Sequence, residues 1–141
     1  MSDQNADLQK YRGLPNASDE EFEKRIVQYA DVPMTELVPG CDSHLIFGER
    51  VCVSFLTMSA DTVFPPHRHE AEQIMCVLEG YMDEIIEGKL YRVKAGDVIN
   101  LPSNIEHGGV LYDVDCKVID IFSPPREDFR AKYLRTIGKS K

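Results

Sequence analysis

The 141-residue chain carries 43% hydrophobic and 28% charged residues, proportions that fit one globular domain with a substantial core. Its net charge of -8 argues against nucleic acid and against an anionic membrane as partners, because both reward a basic face. No run approaches the length of a membrane span, and the start Met1-Ser2-Asp3-Gln4-Asn5 has neither a basic nor an apolar leader region, so a cytoplasmic protein is expected.

Residues 1–25 read as a polar lead-in, broken at Gly13-Leu14-Pro15. Within it Ser18-Asp19-Glu20-Glu21 fits a capping box, serine as N-cap and glutamate three residues on, which predicts a short helix through about Arg25. Ile26-Val27-Gln28-Tyr29 then fits either the tail of that helix or the opening of a strand.

Residues 26–125 read as one β-barrel. The clearest strand-like runs are 51–58, 73–78, 81–86, 90–93, 97–101 and 116–122, with a hairpin turn at Glu87-Gly88-Lys89. Turn residues at Gly40, Gly48-Glu49, Glu79-Gly80, Ala95-Gly96-Asp97 and Pro102-Ser103-Asn104 separate them. Short strands at this spacing predict an all-β, antiparallel barrel or sandwich. Ser123-Pro124-Pro125-Arg126 ends the sheet, and 126–141 forms a terminal arm or short helix. The four cysteines are scattered without a Cys-x-x-Cys pair, which reads as free thiols in a reducing compartment.

Three of the four histidines fall in two clusters. In Pro65-Pro66-His67-Arg68-His69-Glu70-Ala71-Glu72-Gln73, a strand would project His67 and His69 to one face and Arg68 to the other. Two imidazoles side by side on a buried face form half of a metal chelate. Gln73 continues that parity if the chain stays extended, whereas Glu70 and Glu72 do not. His107 follows the second cluster, Gly96 through Glu106. Asp120 lies inside the apolar run Val118-Ile119-Asp120-Ile121-Phe122, where a carboxylate is either a structural hydrogen-bonding group or an acid/base with a shifted pKa. Met58, Met75 and Met82 read as core fillers, Tyr81 and Tyr112 as packing, and His44 as a surface or turn residue. Asp83, Glu84 and Glu87 read as one solvated hairpin face.

The two clusters resemble the paired motifs of the cupin superfamily, over roughly residues 50 to 125. The first runs from His67-Arg68-His69 through Gln73 and six further residues to Gly80. The second runs from Gly96 across five residues to Pro102 and then His107. Asp61-Thr62 stands at the turn where the first motif usually opens with glycine, Asn104 replaces a common glycine, and Leu111 replaces a frequent asparagine. The resemblance implies a small antiparallel β-barrel or jelly roll holding one divalent ion (Zn, Ni, Fe, Mn or Co) on His67, His69, Gln73 and His107. Many cupins place glutamate at the fourth position, and a strand bulge would bring Glu72 there instead. Gln73 leaves the full charge on the metal, which favours Lewis-acid work over redox chemistry.

Asp120, Phe122 and Arg126 following that ligand set resemble the pectin-degradation cupins that convert 4,5-unsaturated monouronates into linear 5-keto-4-deoxyuronate. That resemblance implies proton transfer by Asp120, carboxylate binding by Arg126, and packing of Phe122 against the sugar ring. The expected partner is thus a small anionic carboxylate. The competing readings are an Fe(II) cupin dioxygenase, a non-catalytic small-molecule-binding cupin, and a lyase acting on a small sulfonium acid. A homodimer is expected because both faces of the 116–122 run are apolar and one barrel interior accounts for only one of them.

Overall fold

The described residues form ten short strands, most of them with alternate residues buried, and a face of that kind is covered here by stacking two antiparallel sheets. The structure is a computed structural model and describes residues 2–139. One sheet has six strands in the order β1-β2-β3-β10-β5-β8, and the other has four in the order β4-β9-β6-β7. Their ranges are β1 Met34–Val38, β2 Cys41–Phe47, β3 Cys52–Met58, β4 Thr62–His67, β5 Glu72–Glu79, β6 Tyr81–Ile86, β7 Lys89–Lys94, β8 Val98–Leu101, β9 His107–Leu111 and β10 Cys116–Ser123. The expected jelly roll is present, although the two sheets face each other without closing into a continuous barrel.

Alternation along the strands sets what lies between the sheets. In β3, Cys52, Ser54, Leu56 and Met58 are buried, and in β10 Cys116, Val118, Asp120 and Phe122 are. Met58, Met75 and Met82 are core residues, as expected. The Glu87-Gly88 turn joins β6 to β7 with both residues at positive φ, matching the right-handed twist of a two-residue hairpin. Asp61 and Asn104, standing where the family motif favours glycine, also adopt positive φ, which short polar side chains tolerate.

Strands β1, β2, β4 and β9 lie outside the runs singled out in the sequence. Two of them carry residues that speak against a strand, Pro65-Pro66 in β4 and Gly108-Gly109 in β9. The prolines coincide with a shift in the β4–β9 register between Phe64 and His67.

The capping box forms as expected at the start of α2, Asp19–Arg25. Ser18 N–H donates to Glu21 Oε1 at 2.9 Å, and Glu21 N–H donates to Ser18 Oγ at 3.1 Å. The lead-in before it is more ordered than expected: Ser2–Arg12 forms a helix, α1, whose side chains from Gln4 onward are exposed. After α2 the chain is extended to a single 3-10 turn at Tyr29–Asp31, where Tyr29 stacks on Phe55 at 4.2 Å. His44 is not a free surface residue; it lies half-buried in β2, with Nδ1 2.6 Å from the Val32 carbonyl. The terminal segment forms α3, Glu127–Lys139, docked on β1 where Lys132 Nζ donates to the Leu37 carbonyl at 2.6 Å.

Candidate metal centre and its pocket

His67 ends β4 and His107 opens β9, two strands paired so that these residues sit opposite each other. Gly108 permits that pairing. A Cβ there would lie 2.4 Å from the Phe64 carbonyl oxygen and 2.9 Å from Pro66 N. His69 lies in the crossing from β4 to β5, the link between the sheets. The chain therefore does not stay extended from His67 to Gln73. Instead the alternation of β5 itself turns Gln73 inward and buries it, while Glu72 is exposed on the other side.

The three imidazoles converge, with ring centroids 4.5 Å apart for His67 and His107, 4.7 Å for His69 and His107, and 5.5 Å for His67 and His69. One ligand atom from each lies within 4.8 Å of the others. Each Nδ1 faces a backbone carbonyl: Pro65 at 2.9 Å for His67, Ala71 at 2.7 Å for His69 and Ile105 at 2.9 Å for His107. A carbonyl only accepts, so the ring proton belongs on Nδ1 and the Nε2 lone pair is free, as in orienting contacts behind metal-bound histidines.

The consequence is a cluster of acceptors facing acceptors. His69 Nε2 lies 3.2 Å from His107 Nε2 and 3.2 Å from Gln73 Oε1. The amide is oriented by its other end, where Nε2 donates to Asp120 Oδ1 at 2.9 Å. Two ligands each at about 2.1 Å from an ion are separated by about 3.0 to 3.4 Å, depending on the angle between them. The donor set and its spacing thus fit a divalent cation. Burial also favours the neutral form of two of these rings: it pushes His107 down to about 4, and it lowers His69, with the Arg126 charge adding to the effect.

Behind this cluster lies a cavity of about 360 Å³. Asp120 and Phe122 of β10 line it, as does Arg126 at the entrance to α3. Phe122 is 2% exposed and meets the His69 ring edge-on at 5.8 Å. The Arg126 guanidinium lies 5.2 Å from the Phe122 ring centroid and 3.8 Å from that of Phe129. Its Nε and Nη2 donate to Asp128 at 3.1 and 2.6 Å. Burial pushes Asp120 up to about 6, partly offset by the Gln73 hydrogen bond and the Arg126 charge. Of the site residues expected from the sequence, His67, Gln73, His107, Asp120, Phe122 and Arg126 line this cavity, and His69 lies against Gln73, His107 and Phe122.

Sequence reasoning missed others. Phe129, Asp128 and Lys132 of α3 also line the cavity. Glu84 was expected on a solvated face; it is 4% exposed and faces the cavity. Asp83 is also buried, but on the outer side, where Arg92 Nε donates to it at 2.7 Å and the Tyr112 hydroxyl at 2.7 Å. Only Glu87 is exposed as expected. The missed signal was parity: Glu84 shares the face of Met82, which was assigned to the core.

Residues 54–122 match the family model of the cupin domain. The pectin degradation protein KdgF of Dickeya dadantii is 38% identical over 104 residues, spanning 70% of this chain and 92% of that protein. The chain belongs to the cupin family. Among solved cupin structures, KdgF from Halomonas sp. superposes with a TM-score of 0.65 at 28% identity, over 71% of this chain and 94% of that one. An RmlC-like cupin from Shewanella frigidimarina shares the fold, with a TM-score of 0.69 at 24% identity over 74% of this chain and 95% of that one. No helix among the described residues is long and apolar enough to cross a membrane.

Proposed function

We propose that this cupin is a metal-dependent enzyme converting 4,5-unsaturated monouronate into linear 5-keto-4-deoxyuronate. The observation that carries the reading is the position of Gln73, whose amide oxygen meets His69 Nε2 while its nitrogen donates to Asp120. One side chain thereby joins the candidate metal centre to a buried carboxyl group beside Arg126. Similarity to a pectin degradation protein points to the same substrate class.

His67, His69, Gln73 and His107 hold the ion in this reading, and the ion supplies a Lewis acid. Arg126, steadied by Asp128 and two aromatic faces, binds the substrate carboxylate. Phe122 packs against the sugar ring. Asp120 accepts the proton of the hemiacetal hydroxyl as the ring opens. No oxidant is needed, since substrate and product are isomers. The reading includes a cytoplasmic homodimer. Its support is the set of free cysteines, three of them buried, and the apolar outer face of the larger sheet around Ile121.

The test is incubation of protein loaded in turn with Zn, Ni, Fe(II), Mn and Co with unsaturated monouronates, following the conjugated enol absorbance. Loss of absorbance without oxygen uptake is expected. Turnover that consumes dioxygen would replace this reading with a dioxygenase, and binding without turnover with a non-catalytic cupin.

A further inference from the structure

Across the cavity from Asp120 stands a second carboxyl group that the reaction as stated leaves unused. Glu84 lies on β6 in the four-stranded sheet, and Asp120 on β10 in the six-stranded sheet; both side chains point between the sheets. Among the described residues the Glu84 carboxyl group has neither a hydrogen-bond partner nor a counter-ion, and its only charge interaction is repulsion by Asp120. A buried carboxyl group with no partner is destabilising, so its presence calls for a role. Its neighbours leave room for a ligand. The paired residue on β9 is Gly109, where a Cβ would lie 2.6 Å from Met82 Cε and 3.6 Å from Glu84 Oε2. Asp120 and Glu84 thus face one space from opposite walls.

We propose that Glu84 is the proton donor of this pocket, delivering a proton to C4 of the bound enol ether from the wall opposite Asp120. The inference rests on the uronate reading above and completes its proton balance. Asp120 removes the proton of the C1 hydroxyl, and that bonding pair becomes the C1 carbonyl. The C1–O5 bond breaks and its electrons form the C5 carbonyl. The C4–C5 π pair takes the Glu84 proton to make a new C4–H bond. One proton enters and one leaves, nothing is oxidised, and proton return from Asp120 to Glu84 restores both groups. Burial, reinforced by the Asp120 charge, pushes Glu84 up to about 8, which keeps it in the donor form at neutral pH.

The experiment compares metal-loaded wild type, Glu84→Gln and Glu84→Leu with unsaturated monouronate in D2O, reading C4 of the product by NMR at early times. The wild type should place deuterium at one C4 position. Glu84→Gln should slow turnover about 100-fold or more, with deuterium in both C4 positions of the residual product. Metal content should be unchanged, and the melting temperature of Glu84→Leu should rise, because it removes an unpaired buried acid without leaving another polar group in its place. Two results overturn the donor role alone: an active wild type beside a Glu84→Gln that keeps its rate and its single-position label, or variants that melt lower and lose metal. A wild type silent with every metal overturns the uronate reading itself, and the donor role with it.

Discussion

Burial acts on the ionisable groups of this pocket in opposite directions according to the sign of their charge. It drives His107 toward the neutral ring that a metal needs and drives Glu84 and Asp120 toward the protonated acid. For Glu84 the folded state holds its proton to about 8, against an ordinary value of 4.5. The folded state therefore binds more protons than the unfolded one between those values, and stability falls as pH rises through that window. Glu84→Gln should remove that slope, so denaturant midpoints of variant and wild type should diverge as pH is raised from 5 toward 8 (about the span between the two values). Asp120 predicts differently because it also holds the Gln73 amide. Asp120→Ala should lose about 100-fold or more in turnover while the three histidines still retain metal. Elemental analysis alongside the rate measurement checks both parts.

At the scale of elements, the centre depends on how closely β4 and β9 approach. The Phe64 backbone leaves no space for a side chain at Gly108, so Gly108→Ala must push the two strands apart at the pair that aligns His67 with His107. A cost of about 1–3 kcal/mol is expected for such overpacking, read as a lower denaturation midpoint, together with weaker metal binding in a titration. The helix α3 contributes differently, by closing one end of the cavity. Phe129 packs edge-on to Phe122 at 5.4 Å and supports the Arg126 guanidinium, so one aromatic ring holds two members of the site. None of this is visible in the 127–139 stretch alone. Its helical pattern is local, but the partners of its apolar side chains come from β1, β2 and β10.

For the whole molecule, the outer side of the six-stranded sheet carries Leu78, Val98 and Ile121 at 51%, 57% and 37% exposure. Ile121 sits between Ile74 and Val53 in the strand register. A homodimer through this face should appear in sedimentation equilibrium, and Ile121→Lys should shift the protein to monomer while leaving its secondary structure unchanged. The sequence by itself determined what is local: the capping box at Ser18 and Glu21, the Glu87-Gly88 hairpin, the punctuated strands, and the spacing that pairs His67 with His69. Those features depend on residues a few positions apart. Tertiary structure alone decided which side chains from distant strands share the space between the sheets. Alternation assigns Asp83 and Glu84 to opposite faces of β6 and puts Glu84 on the face of Met82, but it does not say what either side chain meets. The packing of the second sheet made Glu84 the inward residue and left Asp83 to Arg92 and Tyr112. The metal ligands were legible because their chemistry and spacing single them out; the acid opposite Asp120 was hidden because only the stacking of two sheets brings the two carboxyl groups face to face.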